Sequence, residues 1–268
     1  MTDIKNKNVL ITGAASGIGR MMSIKIAELG GNLFLWDIDQ TGLASLGSEL
    51  EDYNSTIYTS VCDLSDRNQI YRAAENVKKE CGAIDILIND AGIVSGKPLL
   101  EASYEEILTT FKVNALALFW TAHAFLPDMM KRNSGHIVTV ASAGGIVGTS
   151  RLVDYCSSKF AAVGFDESLR LELKRKKSKV RTTVICPYYI DTGMFHGVKT
   201  RFRWLLPILK PEYVTKKIIK GIINNRQRII MPPFVMVSYP ARILPTPVFD
   251  FLIDFFGINR SMDEFKGH

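Results

Sequence analysis

The chain is predicted to be an α/β protein: one doubly wound sheet of about seven parallel strands with helices on both faces. Three observations predict it. Short β-branched runs recur, nearly continuous in hydrophobicity, as strands buried on both faces require. Stretches with helical periodicity separate most of them, the alternation that βαβ units produce. No repeat, linker or composition break precedes about residue 190 of the 268, so a single domain over 1–268 is expected.

The first strand, "NVLIT" (8–12), runs into "TGAASGIGR" (12–20), and a helical stretch covers 17–30. "NLFLW" (32–36) and "TIYTSV" (56–61) read as the next strands, followed by helical periodicity over 66–81. "IDILI" (84–88) precedes a helical stretch over 103–132, and "HIVTVAS" (136–142) precedes one over 154–177. "RTTVIC" (181–186) and "RIIM" (228–231) complete the strands. Residues 190–210 are expected to form a lid, and 232–268 a hydrophobic C-terminal extension. In that extension "TPVFDFLIDFFG" (246–257) suits a short amphipathic helix with Asp250 and Asp254 on one face.

Composition is that of a globular protein, 47% hydrophobic and 22% charged. Much of the +6 net charge sits in "LKRKKSKVR" (173–181), where a helix end favours cations and no aromatic residue interleaves. Nucleic acid is therefore not an expected partner. Cys62, Cys81, Cys156 and Cys186 form no CxxC pair and the four histidines are scattered. That predicts reduced thiols in a cytoplasmic setting and no metal site. The amino terminus enters a strand at once, so neither signal peptide nor N-terminal membrane anchor is expected.

Gly13, Gly17 and Gly19 lie between a strand and a helix, where missing side chains let backbone approach a pyrophosphate at the helix N-terminus. A plain tight turn would also account for three glycines. The second strand ends in "LWDID", which places Asp37 eighteen residues after Gly19. A carboxylate there accepts bonds from ribose hydroxyls and repels a 2′-phosphate. No lysine or arginine between Gly13 and Gly19 would welcome that phosphate, so NAD is favoured over NADP, unless Asp37 is only a strand-end turn residue. Asp63 in "CDLSD" (62–66) can reach an adenine edge or simply cap a helix. "INDAG" (88–92) offers Asn89 and a close backbone approach at Ala91–Gly92.

In "DYCSSKFAAVGF" (154–165), Tyr155 and Lys159 stand at i and i+4 and share a helix face. The plain explanation is that Tyr155 covers core while Lys159 reaches water. The chemical one is that alcohol oxidation needs a base and carbonyl reduction an acid. A phenol with a reference pKa of about 10 ionises at neutral pH only at a cost of roughly 4 kcal/mol. An ammonium about 4–5 Å away supplies several kcal/mol in a partly dry site. Ser142, ending the fifth strand, can hydrogen-bond a substrate oxygen, although alone it reads as a turn residue.

"TGAASGIG", "NDAG", Asn114 in "FKVNALA", Ser142 in "VTVASAGG", the Tyr155–Lys159 pair and "CPYYIDTGM" (186–194) occur in the order of the short-chain dehydrogenase/reductase family, which the sequence resembles over nearly its whole length. The resemblance implies a Rossmann-like domain, a homodimer or homotetramer, and hydride transfer between nicotinamide and a carbonyl or alcohol. On the matching positions it implies Tyr155 as acid/base, Lys159 as its partner, Ser142 as oxygen binder and Asn114 as support for a water relay. Asn114 read by itself is a polar residue that kinks a helix. Cofactor contacts are expected at Gly13, Ser16, Gly17, Ile18, Gly19, Asp37, Asp63, Asn89, Ala91, Gly92, Tyr155, Lys159, Pro187, Ile190 and Thr192. Two positions depart from the family pattern. Tyr188 replaces the glycine common after the proline, which narrows the nicotinamide end or adds a substrate contact. Asp90 replaces asparagine; an ionised carboxylate only accepts, so a lost interstrand bond and lower stability are expected.

The tail, "FLWDID" and "GIVSGKPLL" resemble the retinol and 17β-hydroxysteroid dehydrogenase branch, implying a lipophilic alcohol or ketone such as a sterol, retinoid or long-chain alcohol. Residues 193–210 combine Phe195, Phe202, Trp204, Leu205 and Leu206 with Lys199, Arg201 and Arg203. A lid, a lid that also touches a membrane surface peripherally, and core filling all account for that mixture. Reduction of a smaller or acyl carbonyl, and a non-catalytic NAD-binding sensor or scaffold, are the alternative functions.

Overall fold

A computed structural model describes residues 2–266. The first residue and the last two of the predicted domain and extension lie outside them. The strands are β1 (Asn8–Thr12), β2 (Asn32–Asp37), β3 (Ile57–Val61), β4 (Ile86–Asn89), β5 (His136–Val140), β6 (Arg181–Pro187) and β7 (Arg228–Met231). All pair in parallel in one sheet, ordered β3-β2-β1-β4-β5-β6-β7. Helices α1 (Gly17–Glu28), α2 (Gln40–Glu49), α3 (Arg67–Cys81), α4 (Tyr104–Phe111), α5 (Ala117–Arg132), α6 (Val153–Arg175), α7 (Pro211–Ile223), α8 (Ser238–Ala241) and α9 (Thr246–Phe255) connect and follow them.

Alternation along each strand builds two cores. Val9, Ile11, Leu33, Leu35, Ile86 and Ile88 pack with Met22 and Ile26 of α1, Leu46 of α2 and Ile218 of α7. Their neighbours Leu10, Phe34, Trp36 and Leu87 point the other way, onto Ile70 of α3, Phe125 of α5 and Leu173 of α6. Full burial of each such side chain contributes about 1.5–3 kcal/mol. β3 departs from the expected two-sided burial: it is the edge strand, and Val61 is 53% exposed.

The helical stretch over 103–132 starts on a capping box in which Ser103 Oγ accepts from the Glu106 amide at 3.2 Å and Glu106 Oε2 from the Ser103 amide at 2.8 Å. It is not one helix. A π turn at Lys112–Leu116 separates α4 from α5 and turns Asn114 inward. Strand order reverses between β1 and β4, and such a switch point opens a crevice beyond the strands' carboxyl ends. The glycine turn after β1 and Asp90–Gly92 after β4 both stand at this crevice.

Candidate active site

At one end of the crevice the backbone leaves no room for side chains. Gly13 has φ +71°, and a Cβ there would lie 2.8 Å from Ala91 Cα. A Cβ on Gly19 would lie 2.1 Å from the Gly13 carbonyl oxygen. Only glycine fits either position. Ser16 caps α1 without a side-chain hydrogen bond, so first-turn amides face the crevice as an anion cradle. Asp37 Oδ2 accepts from the Ala15 amide at 2.9 Å and Oδ1 from the Asp39 amide at 3.0 Å. The carboxylate thus braces the glycine turn and keeps lone pairs for a diol. The nearby Arg20 is engaged by Glu49 at 2.5 Å.

At the other end Tyr155 and Lys159 are 5% and 4% exposed. The Lys159 ammonium stands 5.7 Å from the Tyr155 ring centre and donates to the Val140 carbonyl at 3.0 Å. Ser142 stands beside Tyr155 across Gly144, from whose amide it accepts at 3.0 Å. Burial pushes the Tyr155 phenol above its ordinary range, with Ser142 opposing. Burial pushes Lys159 down to about 8, with Asp90 opposing. In the protein alone, desolvation is the largest influence on the phenol.

Asn114 stands behind this pair. Its Oδ1 accepts from the Ile93 amide at 2.8 Å, and its Nδ2 donates to the Ile93 carbonyl at 2.9 Å and to Ser158 Oγ at 3.0 Å. A Cβ on Gly92 would meet Lys159 Nζ at 3.2 Å and Asn114 Oδ1 at 3.3 Å, so Gly92 is the gap across which the two face each other.

A cavity of about 480 Å³ joins the two ends. Gly13, Ser16, Gly17, Ile18, Asp37 and Asp63 line its glycine-turn end; Asp63 also accepts from the Ser65 amide at 2.8 Å, as a turn residue would. Ala91, Gly92, Ser142, Tyr155 and Lys159 line its middle, with Pro187, Ile190 and Thr192 across from them. Gly19 and Asn114 stand behind the lining. Asn89 does too, against expectation: it is the last residue of β4, pointing with Leu87 away from the crevice, and its Oδ1 accepts from Thr121 Oγ1 at 2.9 Å. Asp90 does line the cavity, and its Oδ2 lies 2.8 Å from the point a Gly19 Cβ would occupy. Burial pushes its carboxyl up to about 7.

The remaining wall combines Tyr188 and Phe195, which the sequence pointed to, with residues it did not single out. Tyr188, Tyr189 and Phe195 stack edge-on towards Tyr155, with ring centres 4.6, 5.0 and 5.6 Å apart in succession. Phe234, Phe249, Leu252 and Phe256 of the C-terminal extension form the far side. Of the predicted lid, Ile190, Thr192, Met194, Phe195 and Leu206 reach the cavity, while Trp204 is 79% exposed. Tyr189 shares a 2.8 Å hydrogen bond with Ser261, Lys199 pairs with Glu264 at 2.6 Å, and Arg201 donates to the Phe255 carbonyl at 3.0 Å. Lid and tail are therefore tied together.

A family model described as short chain dehydrogenase matches residues 7–201. The chain belongs to the short-chain dehydrogenase/reductase family. It is 43% identical over 266 residues to "Short-chain dehydrogenase/reductase family 16C member 6" of Bos taurus, covering 98% of this chain and 84% of that protein. It is 40% identical over 266 residues to "Epidermal retinol dehydrogenase 2" of Homo sapiens, covering 98% and 86%. These relatives place it on the retinol and hydroxysteroid dehydrogenase branch of the family. Among solved structures, a short-chain dehydrogenase/reductase from Burkholderia phymatum in complex with NAD matches with TM-score 0.82 and 26% identity, covering 91% of this chain and 95% of that one. No helix among the described residues is long and apolar enough to cross a membrane.

Proposed function

We propose that this protein is an NAD-dependent oxidoreductase that interconverts an alcohol and a ketone or aldehyde on a lipophilic substrate such as a retinoid, sterol or long-chain alcohol. One observation carries it: Ser142, Tyr155 and Lys159 face the same cavity whose one end is the glycine cradle with Asp37 and whose other end is aromatic and aliphatic. The residues fit a nicotinamide dinucleotide, since Gly13 and Gly19 clear the backbone where a pyrophosphate would lie and Asp37 presents a carboxylate for a ribose diol. That carboxylate, with Arg20 held by Glu49, favours NAD over NADP. When bound, the cofactor supplies the hydride or takes it up.

The chain's own residues do the rest. Ser142 and the Tyr155 hydroxyl hold the substrate oxygen and stabilise the charge that develops there. Tyr155 gives that oxygen its proton in reduction and takes it in oxidation. Lys159 lowers the cost of the phenolate once a ligand excludes water, and Asn114 orders the polar path behind it. Tyr188, Tyr189, Phe195 and the C-terminal aromatics bury an apolar tail. Hydroxysteroids, retinols and aliphatic alcohols assayed in parallel with NAD and NADP test this. Turnover with NAD on bulky alcohols is expected. A clear NADPH preference on small or acyl carbonyls would transfer the assignment to a reductase, and NAD binding without turnover across the panel would transfer it to a sensor or scaffold.

A further inference from the structure

We propose that Asp90 makes dinucleotide binding proton-linked: its carboxyl has to be protonated for a pyrophosphate to settle on the end of α1 that it already occupies. This rests on the cofactor assignment above and extends it to a residue that the assignment does not use.

The geometry is specific. The Asp90 amide is held by Thr12 Oγ1 at 3.1 Å, which fixes the side chain under the glycine turn. Asp90 Oδ2 lies 2.8 Å from the point a Gly19 Cβ would occupy, and the Gly13 carbonyl oxygen lies 2.1 Å from the same point. Two acceptor oxygens therefore crowd the third residue of α1. α1 carries no acidic residue of its own in its first turn and Ser16 gives it no side-chain cap, so the carboxylate at this helix end is that of Asp90, which follows β4. It also lines the cavity, on the side where the cradle opens.

An anion on that helix end meets an ionised Asp90 as a like charge, and a protonated one as a neutral neighbour. The charged groups facing Asp90 are Lys159 of α6, which favours its ionised form, and Asp37 at the end of β2, which opposes it; the neutral Tyr155 phenol of α6 also faces it. Burial outweighs both, so its carboxyl titrates at about 7, inside the range in which binding is measured. An asparagine here would present an acceptor to Gly19 with no charge to titrate.

The sign follows from linkage. A ligand that favours the protonated carboxyl binds with constant affinity below the free-protein pKa and loses up to about tenfold per pH unit above it, taking up as much as one proton. The probe is ADP-ribose, which has the pyrophosphate and lacks the nicotinamide, and so leaves hydride chemistry aside. Titration calorimetry on the intact protein from pH 6 to 9, in two buffers of different ionisation enthalpy, should show proton uptake near pH 7.5. Affinity should weaken on the order of tenfold between pH 7 and 8.5. Asp90→Asn should flatten that profile at the tight limit. Any dependence contributed by Lys159 would persist in the variant above pH 8. Wild-type binding without proton uptake, or an unflattened Asp90→Asn profile, overturns the proposal while leaving the cofactor assignment standing. Absence of ADP-ribose and NADH binding at every pH overturns both. If Asp90→Asn does not fold, the wild-type proton count decides alone.

Discussion

Replacing Tyr155 with phenylalanine separates chemistry from structure cleanly. The substitution removes one oxygen and keeps the ring, which Phe195 holds edge-on at 5.6 Å and which is almost wholly buried. Ser142 keeps the Gly144 amide at 3.0 Å. The stability cost is at most that of one neutral hydrogen bond, about 1 kcal/mol, or about 2–4 °C in a domain of this size. The kinetic cost is of another order. Loss of a positioned acid/base slows turnover by about 10²–10⁴, equivalent to roughly 3–5 kcal/mol in the barrier. Single-turnover hydride transfer, NADH affinity by fluorescence and a thermal melt, run on the same preparation, read the three quantities separately. The expected pattern is a collapsed rate, an NADH affinity within twofold of wild type and a small shift in Tm. A variant that keeps more than a tenth of the wild-type rate would refute the role assigned to Tyr155.

Asp37→Ser keeps a short acceptor for the Ala15 amide and removes the anion, so the ratio of NADPH to NADH affinity should rise at least about tenfold; parallel fluorescence titrations returning an unchanged ratio would count against the ribose role. Tyr189→Phe cuts the 2.8 Å bond that ties the cavity wall to Ser261. Loosening by about 1 kcal/mol should raise KM for a bulky alcohol about fivefold with kcat within twofold, and steady-state kinetics showing the reverse split would refute it. Asp166 is buried, its Oδ1 and the Thr182 hydroxyl have no hydrogen-bond partner among the described residues, and burial pushes its carboxyl up to about 6. Because the folded state disfavours the charged form, stability falls as pH rises from about 4 to about 6 and stays lowered above. Asp166→Asn should therefore gain at most roughly 3 kcal/mol at pH 7.5 and little at pH 4, whereas melts showing an equal gain at both would refute the titration.

Parts of the fold governed by local pattern were readable from the chain. The strands announce themselves as β-branched runs, and the glycine turn and the i, i+4 pair on α6 follow from spacing alone. α2 was not singled out because its segment "QTGLASLGSE" holds two glycines and shows weak periodicity. α7 carried usable signals, a proline at its start and Val214, Ile218 and Ile222 on one face. Asn89 was expected among the cofactor contacts; its side chain bonds Thr121, on the same face of β4 as Leu87. The far wall of the cavity was not readable, because Phe234, Phe249 and Phe256 reach it only through the way the tail folds back. Nor was the balance of charge at Tyr155, since desolvation depends on everything packed around a group and spacing reports only one neighbour.

Because the roof is held by contacts such as Tyr189 to Ser261 and Lys199 to Glu264, none of them part of the sheet's ladder, its side chains can be exchanged without altering strand order or register. A change of molecular preference then requires substitutions only from Tyr188 onward. The nucleotide half tolerates no methyl group at Gly13 or Gly19. The boundary between an exchangeable half and a sterically fixed one therefore runs through the middle of a single cavity.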